Sequence, residues 1–582
     1  MYSNLKSVQY LVAMLKKRGI CHIVVSPGTS HNPIVRCLDE DPFFHTYSIG
    51  DERSACFFAI GLQQELGAPV VVMTTSGTAT CNLVSGITEA YYRNLPIIAV
   101  TADKHPYFLD QMEEQMIDQR DMFDGICKAK VMLPIVKDER DAWYCQRILN
   151  EAFLEMDHHG SGPIHIDVPI AEGIFAMGEW FNEPELPEVS LIKRLDSQTP
   201  GNEWEDLFSS LNGKRVLLFC GQDIAFSRKD KELYERISNR YNCVISVDTL
   251  SNLDSGKCVY THKGIKRYDD LIPDVVITLN GSIVSNFQGR LKWGGGQFEH
   301  WNVSEEGKIM DPYHKQTRVI ESTTTHFLSL MAQHGNEEAS DSYYREWQAA
   351  VDEFVFPEMP YSLAYACSAT MAALPSGCML HLGNSTTIRV AQYCSWDPSI
   401  QVYCNRGKHG IDGSMSAFIG QSSISKRLAF LLIGDLSFFY DMNALWNRYR
   451  TKNQRIMLFN NGGASLFHYN QGLKNYPMLN RNVAAEHVTT AEGWCVSQGF
   501  TYLSCSSKED FDEKLPQFLQ EDTDTPILFE VVTDKAVDGD LLHLLYDVNA
   551  APAPVTVVEQ AKRSHGDTWL GKAVKVLIGK TN

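Results

Sequence analysis

Two apolar runs that end in oxygen ligands constrain this chain more than anything else in it. LAFLLIG stops at Gly434-Asp435, and RIMLF stops at Asn460-Asn461-Gly462-Gly463, which places Asn461 26 positions after Asp435. Each run reads as a strand buried on both faces, and the residues between them suffice for a helix, the pattern of a parallel βαβ unit. Asp435, the Asn461 amide oxygen and the Gly463 carbonyl form a hard donor set that suits an octahedral Mg²⁺ completed by water and a diphosphate. Gly434, Gly462 and Gly463 let backbone approach those phosphates closely. The competing reading of the pair alone is an ordinary sheet turn in which Asp435 caps a helix.

The rest of the chain repeats the strand–helix alternation. CHIVVSPG, PVVVMTTSG, NLPIIAVTAD and PIHIDVPI read as strands breaking into turns, with SACFFAIGLQQEL and NLVSGITEAYYR as helices between them. KRVLLFCGQ, CVISVDT and DVVITLNGS open a second such segment, which holds no GxGxxG. This alternation predicts an α/β chain of three doubly wound parallel-sheet domains, spanning 1–182, 200–340 and 358–550, with a tail at 551–582. EPELPEVSLIKRLDSQTPGNEW reads as a Pro-rich linker and AQHGNEEASDSYYREW as a second boundary. The first and third segments look like one architecture used twice, with ligands expected at the carboxyl ends of the strands, where SPGTS, TTSGTAT and TADKHP sit.

At 582 residues the chain exceeds what one core supports. A net charge of −19 disfavours nucleic acid and anionic membrane as partners. MYSNLKSVQYLVAMLKKRG reads as an amphipathic helix rather than a leader, and no run reaches the ~18 apolar residues of a membrane span. Fifteen cysteines stand singly without CxxC, pointing to reduced thiols and a cytoplasmic setting. His158-His159 before GSGP reads as a helix C-terminus with its Gly stop, not as a metal site.

Taken in order, SPGTSHNPI, DERSACFFAIGL, TSGTA, TADK, GPIHIDVPI, GNS…R, NRG..GIDG and GDLSF.YD.NAL resemble the thiamine-diphosphate-dependent decarboxylases and carboligases. More narrowly they resemble the SEPHCHC synthases of menaquinone biosynthesis, over nearly the whole chain. The resemblance implies thiamine diphosphate and Mg²⁺ or Mn²⁺ as cofactors. The metal would sit on Asp435, Asn461 and Gly463, with Thr75, Gly77, Ile411, Gly434, Leu436 and Leu466 around the cofactor and Ile411 as the wedge that bends it. Glu52 would hydrogen-bond the pyrimidine ring and favour the tautomer whose nitrogen takes the thiazolium C2 proton; the alternative for Glu52 is a helix-start acid beside Arg53. Ser385, Arg389 and Arg406 match positions that hold the distal carboxylate of the donor, implying 2-oxoglutarate. The family site forms between the first domain of one subunit and the third of another, implying a homodimer or homotetramer.

The acceptor side departs from the pattern. Where the family has Ser-Arg after Pro-Gly, this chain has Thr29-Ser30; a family arginine is Lys104, and a family lysine aligns with Asn286. Two small residues are replaced by Lys408 and His409, while Gln115 still matches and Glu113 and Glu114 flank it with negative charge. Losing two cations that face a dicarboxylate costs several kcal/mol at ~1.5–3 kcal/mol for each charge-assisted bond. Arg36 or His31 compensating from the next turn is the conservative alternative, and His31, His105 and His409 are candidate acids or bases. The reading that follows is decarboxylation of a dicarboxylic 2-oxo acid with transfer to an acceptor that need not be isochorismate. Isochorismate itself, simple decarboxylation to an aldehyde, and a non-catalytic cofactor binder stay open beside it.

Overall fold

The computed structural model describes residues 1–170, 181–222, 228–279, 281–336, 339–469 and 471–547, so the 551–582 tail expected above lies outside the described residues. Nearly continuous apolar strands need cover on both faces, and three sheets result whose strand pairs are all parallel. Two compact units carry them: Met1–Ser197 with Glu306–Glu321, and Gln198–Glu305 with the chain from Ser322 onward.

In the first unit the strands are β1 (His22–Val25), β2 (His45–Ser48), β3 (Val70–Thr74), β4 (Ile97–Lys104), β5 (Ala129–Met132) and β6 (Ile164–Ile170). Their order across the sheet is β2-β1-β3-β4-β6-β5. β3 and β6 are buried at every residue, and β4 at all but its last. Helices Lys6–Lys17 and Glu139–Glu155 bury Leu11, Val12, Leu149 and Phe153 against one face, and Glu52–Leu66 buries Ala55, Cys56 and Ala59 on the other. A further parallel pair in this unit joins β7 (Lys193–Leu195) to the segment Gln316–Glu321. The stretch 181–200 therefore is not the free linker expected from its prolines. Phe181, Val189, Ile192 and Leu195 are buried, and these apolar residues outweigh the polar ones between them.

The second unit holds β8 (Val216–Cys220), β9 (Cys243–Ser246), β10 (Cys258–Val259), β11 (Val275–Leu279) and β12 (Glu299–Ser304), ordered β10-β9-β8-β11-β12. The strand Gln316–Glu321 of the first unit is β13 in chain order. SDSYYREW, expected at a boundary, lies largely in helix Ser342–Asp352, which buries Tyr343 and Trp347. The third sheet comprises β14 (Met379–Leu382), β15 (Gln401–Tyr403), β16 (Ala429–Gly434), β17 (Gln454–Asn460), β18 (Thr501–Cys505) and β19 (Ile527–Val532). Its order, β15-β14-β16-β17-β19-β18, repeats that of the first sheet strand for strand. No described helix is long and apolar enough to cross a membrane. All fifteen cysteines are free; Cys56, Cys220 and Cys243 are buried and Cys21 is half-buried.

Candidate active site

Adjacent parallel strands β16 and β17 deliver Asp435 and Asn461 to one end of the third sheet, because Gly434 registers opposite Phe459. Asp435 begins helix Asp435–Tyr440 and is almost fully buried. Its Oδ2 accepts the backbone N–H groups of Asn461 (3.1 Å) and Gly463 (2.9 Å), and its Oδ1 that of Leu436 (2.6 Å). Asn461 donates through Nδ2 to Asp538 Oδ2 at 2.9 Å, which leaves its Oδ1 buried without a partner. A buried amide oxygen without a donor is costly unless something electropositive meets it, and this one stands beside a carboxylate.

The turn is built to stay bare. Gly462 and Gly463 have φ of +75° and +144°, and a Cβ on Gly463 would lie 2.6 Å from the Ala484 carbonyl. At Gly434 an added Cβ would meet no atom of the chain, so the space over that turn is open. The donor set and its open cradle thus fit a divalent cation carrying a diphosphate. Ser437 Oγ donates to the Ile411 carbonyl at 2.5 Å, tying the expected wedge to the helix that starts at Asp435. Leu436 and Leu466 are half-buried nearby in sequence, Leu466 packing on the core of the third sheet.

A cationic group gathers at the end of β14 and the loop after β15. Ser385 has φ +76° and precedes helix Thr386–Ala391; Arg389 Nη1 donates to its carbonyl at 2.8 Å. Arg406 is only 6 % exposed, yet it donates to neutral Asn384 Oδ1 at 3.2 Å and its Nε has no partner. Burial, and with it the charge of Arg389, hold the Arg406 guanidinium below its ordinary range, against opposing pulls from Cys404 and the Asp248 carboxylate. Lys408 and His409 are exposed on the same loop, and Lys408 lines an open cavity of about 430 Å³. Burial and the cations Arg406, Arg389 and Lys408 push His409 down, and its Nε2 lies 3.1 Å from Ser282 Oγ. Asn286 bonds Tyr393 and shares a cavity of about 240 Å³ with Arg389 and His262.

In the first unit, Glu52 is the first residue of its helix, capped by Asp51 through the Ser54 N–H. Asn82 Nδ2 donates to Glu52 Oε2 at 3.0 Å, leaving the half-buried carboxylate with lone pairs to spare. The strand-end loops of β1 and β3 interlock: Ser30 N–H donates to Thr75 Oγ1, and Gly77 (φ +82°) lets the Gln115 backbone lie against it. Thr29 and the Gln115 side chain are exposed. Lys104 is held by Glu113 at 2.7 Å. Neither proposed substitute for the missing acceptor-side arginine is free: Arg36 pairs with Glu40 and lies 4.0 Å over Phe181, and burial pushes His31 down to about 4, so it is neutral. His105 accepts from the Tyr107 N–H through Nδ1 and packs on that ring.

Several participants escaped the sequence reading. Asp538, in helix Lys535–Asp547, fixes the Asn461 amide while itself accepting from Thr533 and the Leu363 N–H. His487 Nε2 lies 3.3 Å from Asp435 Oδ2 without hydrogen-bond geometry. Asn460, adjacent to the expected ligand, points away and bonds buried Glu530. Nothing local marks Asp538: it is 77 positions from Asn461 and only the sheet brings them together.

Residues 5–122 match the family model described as the thiamine pyrophosphate enzyme N-terminal TPP binding domain. A protein of Bacteroides fragilis named 2-succinyl-5-enolpyruvyl-6-hydroxy-3-cyclohexene-1-carboxylate synthase is 38 % identical over 94 % of this chain and 99 % of its own length. Proteins of the same name from Bacteroides thetaiotaomicron and Phocaeicola vulgatus, with the same two coverages, are 38 % and 37 % identical. With the bare glycine turn, the Asp435–Asn461 pair at the ends of adjacent strands and likeness over nearly the whole length, the chain is a thiamine-diphosphate-dependent enzyme and belongs to the 2-succinyl-5-enolpyruvyl-6-hydroxy-3-cyclohexene-1-carboxylate synthase family.

Proposed function

We propose that the protein decarboxylates 2-oxoglutarate and transfers the remaining four-carbon unit to an acceptor, in the manner its relatives' name describes. The observation that carries the donor assignment is Arg406, a buried guanidinium with one neutral partner and a free Nε beside Arg389. The buried carboxylate that acts on Arg406, Asp248, accepts the Leu250 and Val284 N–H groups and has no hydrogen bond to the guanidinium. The two cations can therefore still take a carboxylate, and a 2-oxo diacid brings one at the far end from the reacting carbon. Asp435, Asn461 and the Gly463 carbonyl would hold Mg²⁺ against the diphosphate. The chemistry thiamine diphosphate supplies when bound is an electron sink for loss of CO₂. Glu52 would accept the hydrogen bond from the pyrimidine ring and so govern where its proton resides. Helix Glu52–Leu66 leaves Phe57 and Phe58 exposed, which supports a homo-oligomer in which this surface is covered by another copy.

For the acceptor, the relatives' printed product makes isochorismate the first compound to test. A second reading, an acceptor with fewer carboxylates, is favoured by Lys104 being held by Glu113 while His31 is neutral and Arg36 engaged. The deciding experiment is CO₂ release from 2-oxoglutarate with thiamine diphosphate and Mg²⁺, with and without isochorismate, on wild type and Glu52→Gln. Glu52-dependent release accelerated by isochorismate, with adduct formed, supports the relatives' reaction. Release indifferent to isochorismate supports the second reading, and no release refutes the donor assignment.

A further inference from the structure

At the end of helix Glu139–Glu155, apart from the residues assigned to the candidate active site, two adjacent histidines close on one carboxylate. His158 Nε2 lies 2.9 Å from Glu321 Oε2, and His159 Nε2 lies 3.4 Å from Glu321 Oε1. Consecutive side chains normally diverge, but His159 has φ +52° and its ring stacks on His158 at 3.9 Å. Glu321 can occupy this place because Gly307 lacks a side chain; a Cβ there would come within 2.3 Å of Glu321 Oε2.

The proton count at His158 is what demands a cation. Its Nδ1 lies 2.9 Å from Glu155 Oε2 and its Nε2 2.9 Å from Glu321 Oε2. A neutral imidazole has one N–H, so with Nδ1–H donated to Glu155 the Nε2 lone pair faces a carboxylate oxygen. That contact is repulsive unless a positive charge lies between them. Arg194 supplies one positive charge to the group, 2.7 Å from Glu155 and 3.8 Å from Glu321. Two carboxylates against one guanidinium leave a net charge of −1, room for either a second proton on His158 or a metal ion.

The geometry points to a transition-metal site, of the Zn²⁺ class, formed by His158 Nε2, His159 Nε2 and Glu321. Ligand atoms around a tetrahedral Zn²⁺ are about 3.3 Å apart, given bonds of about 2.0–2.1 Å, and the two His–carboxylate separations bracket that value. The three ligand atoms all lie within 4.8 Å of one another. Glu155 on the far nitrogen of His158 is the carboxylate–histidine arrangement that fixes tautomer and raises ligand basicity. The His159 side chain is 73 % exposed, so a water can fill a fourth position and the ion can enter from solvent. Arg194 limits affinity by its proximity to Glu321, which makes this a binding site of moderate strength rather than a structural staple. The sequence had offered these histidines only as a helix end; the strand bearing Glu321 changes that reading.

The test is Zn²⁺ titration of the full-length protein, freed of metal by a chelator and then saturated with Mg²⁺ and thiamine diphosphate. Wild type is expected to take up one more equivalent of Zn²⁺ than His159→Gln, with at least tenfold tighter binding at that site. Co²⁺ should give a visible band of nitrogen and oxygen ligation that His159→Gln and His158→Gln both lose, separating this site from thiolates such as exposed Cys81. Circular dichroism and the rate of CO₂ release in the absence of Zn²⁺ should match wild type in His159→Gln. Identical isotherms and spectra for wild type and both variants would overturn the metal site and leave a second proton on His158 as the balancing charge.

Discussion

The first and third sheets share one strand order, yet the chemistry at their strand ends differs. After β3 the first sheet turns through Thr75, Ser76 and Gly77, whose N–H is taken by the side chain of Gln119. After β16, the corresponding strand, the third sheet turns through Gly434 into Asp435, which collects backbone N–H groups from the neighbouring strand's end. One end is lined with hydroxyls and amides, the other with a carboxylate and an orphaned amide oxygen. The same topology therefore delivers loops to equivalent places, while the residues in those loops set what each can bind. The division of labour proposed above follows: proton control from Glu52 in the first unit, anchoring from Asp435 and Asn461 in the second.

The sharpest way to break that division is to substitute one residue on each side. Glu52→Gln should lower the rate of CO₂ release by about 10²–10⁴-fold while thiamine diphosphate still binds, measured by calorimetry alongside turnover. Asp435→Ala should abolish turnover through loss of Mg²⁺-dependent cofactor binding. If Glu52→Gln lost binding and Asp435→Ala kept it, the assignment of roles to the two sheets would be reversed. Next in size, Arg406→Met should raise KM for 2-oxoglutarate by about 10–100-fold, as expected for one charge-assisted hydrogen bond of ~1.5–3 kcal/mol. A monocarboxylic 2-oxo acid should be far less affected, and equal losses for both would remove Arg406 from the distal-carboxylate site.

Much of this comparison was readable beforehand. The apolar runs ending at Asp435 and Asn461 are local features, so their burial as neighbouring parallel strands followed from pattern alone. The repeated architecture was visible in the strand–helix alternation, though the identical order required the pairings themselves. What stayed hidden is tertiary. Phe181, Val189 and Ile192 are scattered among prolines and acids, and only the core of the first sheet reveals why they are buried. Asp538 lies in a helix with no ligand motif, and its role toward Asn461 arises where β17 and that helix meet. Asp538→Ala tests it: the Asn461 amide loses its fixed orientation, and Mg²⁺ affinity should fall about 10–100-fold, the usual effect of removing a partner that orients a ligand. Unchanged Mg²⁺ affinity with lowered stability would make Asp538 a structural residue only.

The smallest effect concerns the first sheet alone, where Asp167 of β6 lies behind the Gly77 turn. Thr101 and Gln119 donate to its Oδ1, and Oδ2 is buried without a partner. Burial, reinforced by neighbouring Asp103, pushes Asp167 up to about 7, and Asp103 itself is raised by burial to about 6. Here the folded state holds a proton that the unfolded chain releases near ~4. The stability this contributes is complete below that lower value and is lost as pH rises through about 7. Wild type should therefore unfold more easily at pH 8 than at pH 5. Asp167→Asn keeps the Oδ1 bonds and removes the buried charge, so its thermal midpoint should exceed that of wild type by about 2–4 °C at pH 8 and by little at pH 5. In the third sheet the buried acid of the corresponding strand, Glu530 of β19, accepts instead from Asn460, the Ala491 N–H and Tyr502. Glu530→Gln puts an amide nitrogen where one of these donors is accepted, so it should lose stability, and opposite signs for the two substitutions would show that corresponding strands under one topology make opposite use of a buried acid.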